Sequence, residues 1–376
     1  MPNNTSIIKA FSSVEDPRID RTKKHKLIDI ITISLCSIIC GAEGWEDIEF
    51  FGNERREWFE TFLDIPNGIP SHDTIRRVFE RIDTRQFNDC LVEWTKSLHE
   101  DTEGKIIAID GKTIRHSFDK ATGKAALHLV SAWVHDSNIM LGQCAVDTKK
   151  NEISIIPNLL KMLEISGAIV TIDAIGCQKE FARTITEDNN ADYVLAVKAN
   201  QPNLLKEVEE MFQALDGESD HGLTSDFFRS VDGGHGRVET RLCTCIDINP
   251  WTHVFSDKWS GIQTIARIHS QREIGEKDET QTRYFISSLP CNAELIARAI
   301  RGHWGIENSL HWVLDVVFSE DDLRIRKANS PENLAVIRRA ALNMIKLNKP
   351  KGLSVRKARM KAMMNCKFAE RLITGN

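Results

Sequence analysis

The chain twice carries an apolar, β-type run that ends in an aspartate: Ile106-Ile107-Ala108-Ile109-Asp110 and Ile169-Val170-Thr171-Ile172-Asp173. Short runs rich in β-branched residues read as buried strands. Each delivers one carboxylate to a strand end, which restricts the fold to a sheet on which the two ends can meet. Far downstream, Glu307 lies in the helical stretch His303-Trp304-Gly305-Ile306-Glu307-Asn308-Ser309-Leu310-His311-Trp312. Two strand-end carboxylates and one helix-borne carboxylate are what a two-metal phosphoryl-transfer site needs. Two Mg²⁺ ions about 4 Å apart activate an attacking oxygen and stabilise a leaving one. Mg²⁺ is a hard ion and takes oxygen ligands in preference to Cys or His. A strand-end aspartate is also a common cap or turn residue, so each aspartate alone has a purely structural reading beside this one.

The pattern around these runs predicts an α/β chain with a mixed sheet. After 106–110, residues 127–134 and 140–146 flank the hairpin signal Asp136-Ser137-Asn138. Residues 153–163 read as helix, 169–173 as strand, 178–187 as helix and 193–198 as strand. Short loops make the first three strands antiparallel, and helical crossovers make the later ones parallel. In that order the first and fourth strands lie side by side, with both aspartates at one edge. Residues 201–213 form an amphipathic helix. Residues 215–288 are Gly-rich with strand-like runs at 237–248, 261–268 and 280–287, and read as a β-rich insertion. Residues 293–317 and 331–347 are helical again.

Before the sheet, residues 24–100 read as helical, broken by Gly41-Ala42-Glu43-Gly44 and by Pro66-Asn67-Gly68-Ile69-Pro70. Ser71 can cap the following helix. Residues 71–81 fit a recognition helix after a turn, or a structural cap. The expected organisation is a helical, DNA-binding N-terminal unit (1–100) and the first part of a catalytic core (101–200). A helix with the insertion (201–289), the rest of the core with the Glu-bearing helix (290–347) and a basic tail (348–376) follow.

At 376 residues the chain is long enough for two or three folded units. Its most apolar stretch, 30–42, is too short to span a bilayer. Residues 1–5 lack the pattern of a secretory signal. The nine cysteines are scattered with no Cys-x-x-Cys pair, as expected of free thiols in a reducing cytoplasm. The net charge of −5 hides an asymmetry: from Arg324 to Arg371 there are fourteen basic residues and two acidic ones. A basic region on an acidic body suits a local polyanion site. A solvated helix face, or a tail held against the acidic body, is the alternative.

On the Glu-bearing helix, His303, Glu307, His311 and Asp315 recur every four residues and form one polar stripe. Such a stripe can also bind zinc. Glu307 is the leading ligand, with His303, His311 and Asp315 supporting it or facing phosphate. Hydrogen-bonded packing is the bland reading of the two histidines. Lys112 and Arg115 follow Asp110, and Lys198 and Gln201 follow the strand at 193–198, so all four can meet phosphate near the sheet edge or be solvated. His235-Gly236-Arg237 sits in a glycine-rich turn suited to DNA contact. No Gly-x-Ser-x-Gly elbow and no Gly-x-x-x-x-Gly-Lys-Ser/Thr loop is present, which disfavours a serine hydrolase and an ATP-driven motor.

At these residues the chain resembles the H-repeat-associated insertion-sequence transposases, a branch of the DDE superfamily with an RNase H-like core. The matching text is Ala108-Ile109-Asp110-Gly111-Lys112-Thr113-Ile114-Arg115, Val170-Thr171-Ile172-Asp173-Ala174-Ile175-Gly176-Cys177-Gln178, Leu195-Ala196-Val197-Lys198-Ala199-Asn200-Gln201, His235-Gly236-Arg237-Val238-Glu239 and residues 301–315. Asp16-Pro17-Arg18 and residues 68–74 resemble the family's N-terminal associated domain. The resemblance implies that Asp110, Asp173 and Glu307 are a catalytic triad binding Mg²⁺, with Mn²⁺ as a substitute. It implies double-stranded DNA as partner, at element ends and target, a homodimer on DNA, and a cytoplasmic location. In the superfamily a Tyr, an Arg and a Lys accompany the Glu; Ile300, His303 and Leu314 stand in those places here. Leu314 cannot replace a Lys, so Arg301 and tail residues such as Arg324 and Arg326 become the candidates for gripping DNA. Two other readings stay open: a nuclease that cuts without joining, and an inactive DNA-binding remnant.

Overall fold

A computed structural model describes residues 7–98, 102–146, 152–217, 222–234, 237–251, 259–274 and 277–375. Its centre is one nine-stranded sheet: β1 (Ile106–Thr113), β2 (His128–Val134), β3 (Ile139–Val146), β4 (Ile169–Ile172), β5 (Asp192–Val197), β6 (Ser225–Gly234), β7 (Arg237–Asp247), β8 (Thr264–Ile274) and β9 (Lys277–Ser287). The spatial order is β3-β2-β1-β4-β5-β9-β8-β7-β6. β1, β2 and β3 are antiparallel neighbours, while β1, β4 and β5 run parallel. This is the RNase H-like arrangement that the resemblance implied. The β2–β3 turn holds Asn138 at φ 58°, a left-handed position that asparagine tolerates. The helix Glu152–Met162 makes the crossover from β3 to β4 and buries Ile156, Leu159 and Leu160.

The β-rich segment does not form a separate sheet. β9 pairs antiparallel with β5, Val194 opposite Ser287 and Val197 opposite Tyr284, and β8, β7 and β6 continue outward. β6 lacked a sequence signal because it is an edge strand. Its exposed positions include the apolar Phe227 and Val231, so the apolar/polar pattern does not follow the partial burial of Phe228 and Ser230.

One face of the sheet carries a helical body built from both chain ends. Leu27–Ile39 buries nearly every side chain, which explains the apolar run there. It packs with Thr84–Lys96 and Ser330–Asn348 in a single core. The last two helices, Val355–Met364 and Cys366–Thr374, add Ala358, Ala362, Phe368, Ala369 and Leu372 to that core. The stretch read as a basic tail therefore closes the helical body. Part of the basic charge between Arg324 and Arg371 is internal: Arg338 and Arg339 on Ser330–Asn348, and Arg359 on Val355–Met364, are buried. Arg359 Nη2 donates to the carbonyls of Ile38 (2.9 Å) and Ala42 (3.3 Å), a side-chain donor at the C-terminal end of Leu27–Ile39. Arg339 Nη1 lies 2.7 Å from Glu320 Oε1, and both residues are fully buried. Among the described residues, no helix is long and apolar enough to cross a membrane.

The Glu-bearing helix is not continuous. Ala293–Ile306 and Trp312–Phe318 are α-helical, and the residues between them, Glu307–His311, make a π turn. Ala293–Ile306 lies close to β1, helped by Gly302, where a Cβ would fall 3.1 Å from the Ile106 side chain. Ser319 in the left-handed region (φ 50°) ends the second segment and turns the chain back toward β1.

Candidate active site

β1 and β4 are parallel neighbours with Ile109 opposite Ile172, so the next residues come side by side: Asp110, still paired with Ser131 of β2, and Asp173, just past the end of β4. Asp173 also begins a turn, its Oδ1 accepting from the Ile175 N–H at 3.0 Å. Glu307 opens the π turn, a local widening of the helix that is frequent at functional sites because it re-aims side chains. All three line one cavity of about 190 Å³, together with Lys198, Arg283, His303 and Trp304. Val194, Ala196, Phe285 and Ile300 supply apolar walls.

Crowded carboxylates repel, and the protonation pattern reflects it. Burial pushes Asp110 up to about 8, and the charges of Glu307 and Asp173 add to the effect. Glu307 moves the other way, chiefly because His311 hydrogen-bonds it. Without a cation, Asp110 and Glu307 thus share one proton, the usual outcome for two close carboxylates. His311 Nδ1 is 3.4 Å from Glu307 Oε2 and 3.6 Å from Asp110 Oδ2. Its Nε2 is buried with no hydrogen-bond partner. A neutral imidazole has one donor and one acceptor nitrogen, and an orphaned acceptor is cheaper than an orphaned N–H. The proton therefore belongs on Nδ1, directed at the carboxylates. His303 Nδ1 lies 3.1 Å from Thr171 Oγ1, and burial lowers its proton affinity.

A divalent cation fits this site. One ligand atom from each of Asp110, Glu307 and His311 lies within 4.8 Å of the others, and Asp173 opens onto the same cavity. The donors are mainly carboxylate oxygens, which suit Mg²⁺ and Mn²⁺.

Several residues anticipated at phosphate are placed elsewhere. Lys112 is buried among Asp315, Glu320 and Asp321 and cross-links them internally. Asp315 is the partner of Lys112 and does not reach the cavity lining. His311 is buried beside Asp110 and Glu307. Gln201 spends its side-chain amide on the Cys177 carbonyl at 2.8 Å. Arg326 stacks on Phe118 and donates to the His116 carbonyl at 3.0 Å. Arg115, Arg324, Lys198 and Arg301 are exposed; Arg115 pairs with Asp321 at 3.2 Å and Arg301 lies 3.4 Å from Asp232. His235 falls outside the described residues, as does the side chain of Arg237.

The residues that the motifs did not single out are Arg283 and the exposed face of Trp304. Arg283 was hidden in the sequence because it is one of several polar residues within the strand run 280–287.

Residues 101–344 match the family described as "Transposase DDE domain", and residues 8–95 the family described as "DDE_Tnp_1-associated". The chain is 42% identical to "Putative transposase YncI" of Escherichia coli O157:H7, over 98% of this chain and 94% of the relative. It is 38% identical to "H repeat-associated putative transposase YhhI" of Escherichia coli K12, over 98% of each. A structure of the piggyBac transposase synaptic complex with hairpin DNA aligns with a TM-score of 0.43 at 12% identity, covering 97% of this chain and 76% of that one.

Proposed function

The chain belongs to the DDE transposase family, and we propose that it cuts DNA at the ends of an insertion element and joins the freed 3′ hydroxyl to a target. The observation that carries this reading is that Asp110, Asp173 and Glu307 reach one cavity from three different elements. The three carboxylates would hold two Mg²⁺ ions, or Mn²⁺ in their place; such ions, when bound, activate the nucleophile and offset charge on the leaving oxygen.

The protein's own groups do the rest. β1 and β4 fix two carboxylates relative to each other, and the π turn brings the third. His311 keeps Glu307 ionised and oriented, so that little reorganisation is needed when a cation enters. The apolar walls limit water beside the reacting phosphodiester. Each chemical step is an in-line attack on phosphorus, first by water and then by a 3′ hydroxyl. Exposed bases on the two last helices, Arg356, Lys357, Lys361, Lys367 and Arg371, suit contact with DNA phosphates. Joining two element ends calls for two copies of the chain on DNA, acting in the bacterial cytoplasm.

The test is a Mg²⁺-dependent assay on a duplex carrying one element end and its flank, with products resolved by strand. Wild type is expected to nick at the end and to give joined product. Asp110→Asn, Asp173→Asn and Glu307→Gln are each expected to lose about a thousandfold or more. An Asp110→Asn protein as active as wild type would overturn the assignment. Nicking with no joined product would reduce the activity to that of a nuclease.

A further inference from the structure

The cavity has a basic wall opposite its carboxylates. Val197 on β5 pairs with Tyr284 on β9, so the next residues, Lys198 and Arg283, are cross-strand neighbours. Both line the cavity. Like charges set side by side on a sheet destabilise it. Arg283 gains little relief nearby. Arg272 and Arg241 lie on the same sheet face, and the adjacent acid, Glu239, already holds Arg241 at 2.6 Å and approaches Arg272 at 3.7 Å. Arg283 Nε is buried with no hydrogen-bond partner. Burial, and then the Arg241 charge, lower its proton affinity, with Glu239 opposing. Its guanidinium lies 5.9 Å from the centre of the Trp304 ring, which supports the planar group from one side.

A half-buried cation beside another cation, with an orphaned donor, is an arrangement completed by an anion. Guanidinium is the donor that matches phosphate geometry with two parallel bonds. We infer that Arg283, with Lys198 beside it, takes the non-bridging oxygens of the scissile phosphate in the cavity that Asp110, Asp173 and Glu307 line. This rests on the phosphodiester chemistry proposed above and names the residue that grips the reacting group. Arg283 would act on the phosphate charge in the cavity, whereas overall DNA affinity would come from the many contacts along the flanking duplex.

The experiment pairs protein variants with a charge-neutral substrate. Wild type, Arg283→Gln and Arg283→Lys cut an element-end duplex that carries either the natural linkage or a methylphosphonate at the scissile position. On natural DNA, Arg283→Gln is expected to cut about 10- to 100-fold more slowly, with the duplex Kd changed by less than about threefold. Arg283→Lys keeps the charge and is expected to fall between the two. Neutralising the phosphate should slow wild type by a larger factor than it slows Arg283→Gln, by about tenfold. A residue that merely supports the fold would give the same factor in both proteins, and equal factors would overturn the inference. Should Arg283→Gln not fold, the Arg283→Lys ratio decides by the same comparison. Wild type that cuts while Arg283→Gln cuts equally fast overturns the role of Arg283 alone. Wild type that does not cut at all overturns the phosphodiester reading, and this inference with it.

Discussion

Lys112 Nζ lies 2.7 Å from Asp315 Oδ1, an ion pair that ties the strand carrying Asp110 to the helix carrying Glu307. Asp321 Oδ1 at 2.9 Å and Glu320 Oε2 at 3.4 Å complete the cage around the ammonium. Burial disfavours the charged lysine, but the three carboxylates outweigh it and raise its proton affinity. Glu320 is held at about 2: burial opposes its charge, and Arg339, Lys112 and Arg338 outweigh burial. The two elements that carry the catalytic carboxylates are thus fixed by charge as well as by packing.

Lys112→Met is expected to cost about 3–5 kcal/mol, because it leaves buried carboxylates without a counter-ion. Chemical denaturation measures this. Lys112→Arg, which keeps the charge, should recover part of the loss. In the folded fraction, Mn²⁺ affinity should fall by about tenfold as the strand–helix spacing relaxes.

The raised Asp110 gives a pH signature with a definite sign. An acid whose folded pKa lies above its unfolded value favours folding most when protonated. Without metal, its contribution is complete below the ordinary carboxylate range near 3.8 and is lost as pH rises through about 8. Mg²⁺ reverses this by replacing the proton. The rise in melting temperature produced by Mg²⁺ should therefore be larger at pH 9 than at pH 6. Asp110→Asn should melt higher than wild type in the absence of metal at pH 9, and should gain little from Mg²⁺.

Gly111 has no room for a side chain. A Cβ there would sit 2.6 Å from Glu152 Oε1 and 2.7 Å from His128 Nε2, two buried groups that hydrogen-bond each other. Gly111→Ala is expected to cost about 1–3 kcal/mol by forcing that pair apart. Because the residue adjoins Asp110, metal binding should weaken along with stability in a calorimetric titration.

The bases of the C-terminal region separate into two classes that a single experiment distinguishes. Arg356, Lys357 and Lys361 are exposed, whereas Arg338, Arg339 and Arg359 are buried. Replacing the three exposed bases with Gln should leave melting unchanged. It should also flatten the dependence of log Kd on log salt by about 2–3. Arg339→Met should instead unfold the protein at lower denaturant, because Glu320 is left buried without its partner.

The strand runs ending in Asp110 and Asp173 were readable because β-branched runs and short loops determine both strand type and sheet order. The helix bearing Glu307 was readable from its period, but its π turn was not, since nothing in Glu307-Asn308-Ser309-Leu310-His311 departs from helical patterning. Lys112 looked like a phosphate contact because it follows Asp110. Its burial depends on Asp315, Glu320 and Asp321 folding back across the sheet edge, a relation that sequence neighbours do not reveal. Arg283 stayed hidden for a similar reason, because its place beside Lys198 follows from the β5–β9 pairing, which extends the core sheet into a segment that reads as a separate insertion. The charge of the C-terminal region is visible in sequence, whereas the burial of Arg338, Arg339 and Arg359 against backbone carbonyls and Glu320 is a tertiary property.

The most direct test of the account is a Mn²⁺ titration, followed by electron paramagnetic resonance, of wild type and of Asp110→Asn, Asp173→Asn and Glu307→Gln. If the three carboxylates form one centre, wild type shows a spin-coupled pair of ions, and each substitution abolishes the coupling and weakens binding by about tenfold or more. Unchanged Mn²⁺ binding in any of the three variants would contradict a shared centre.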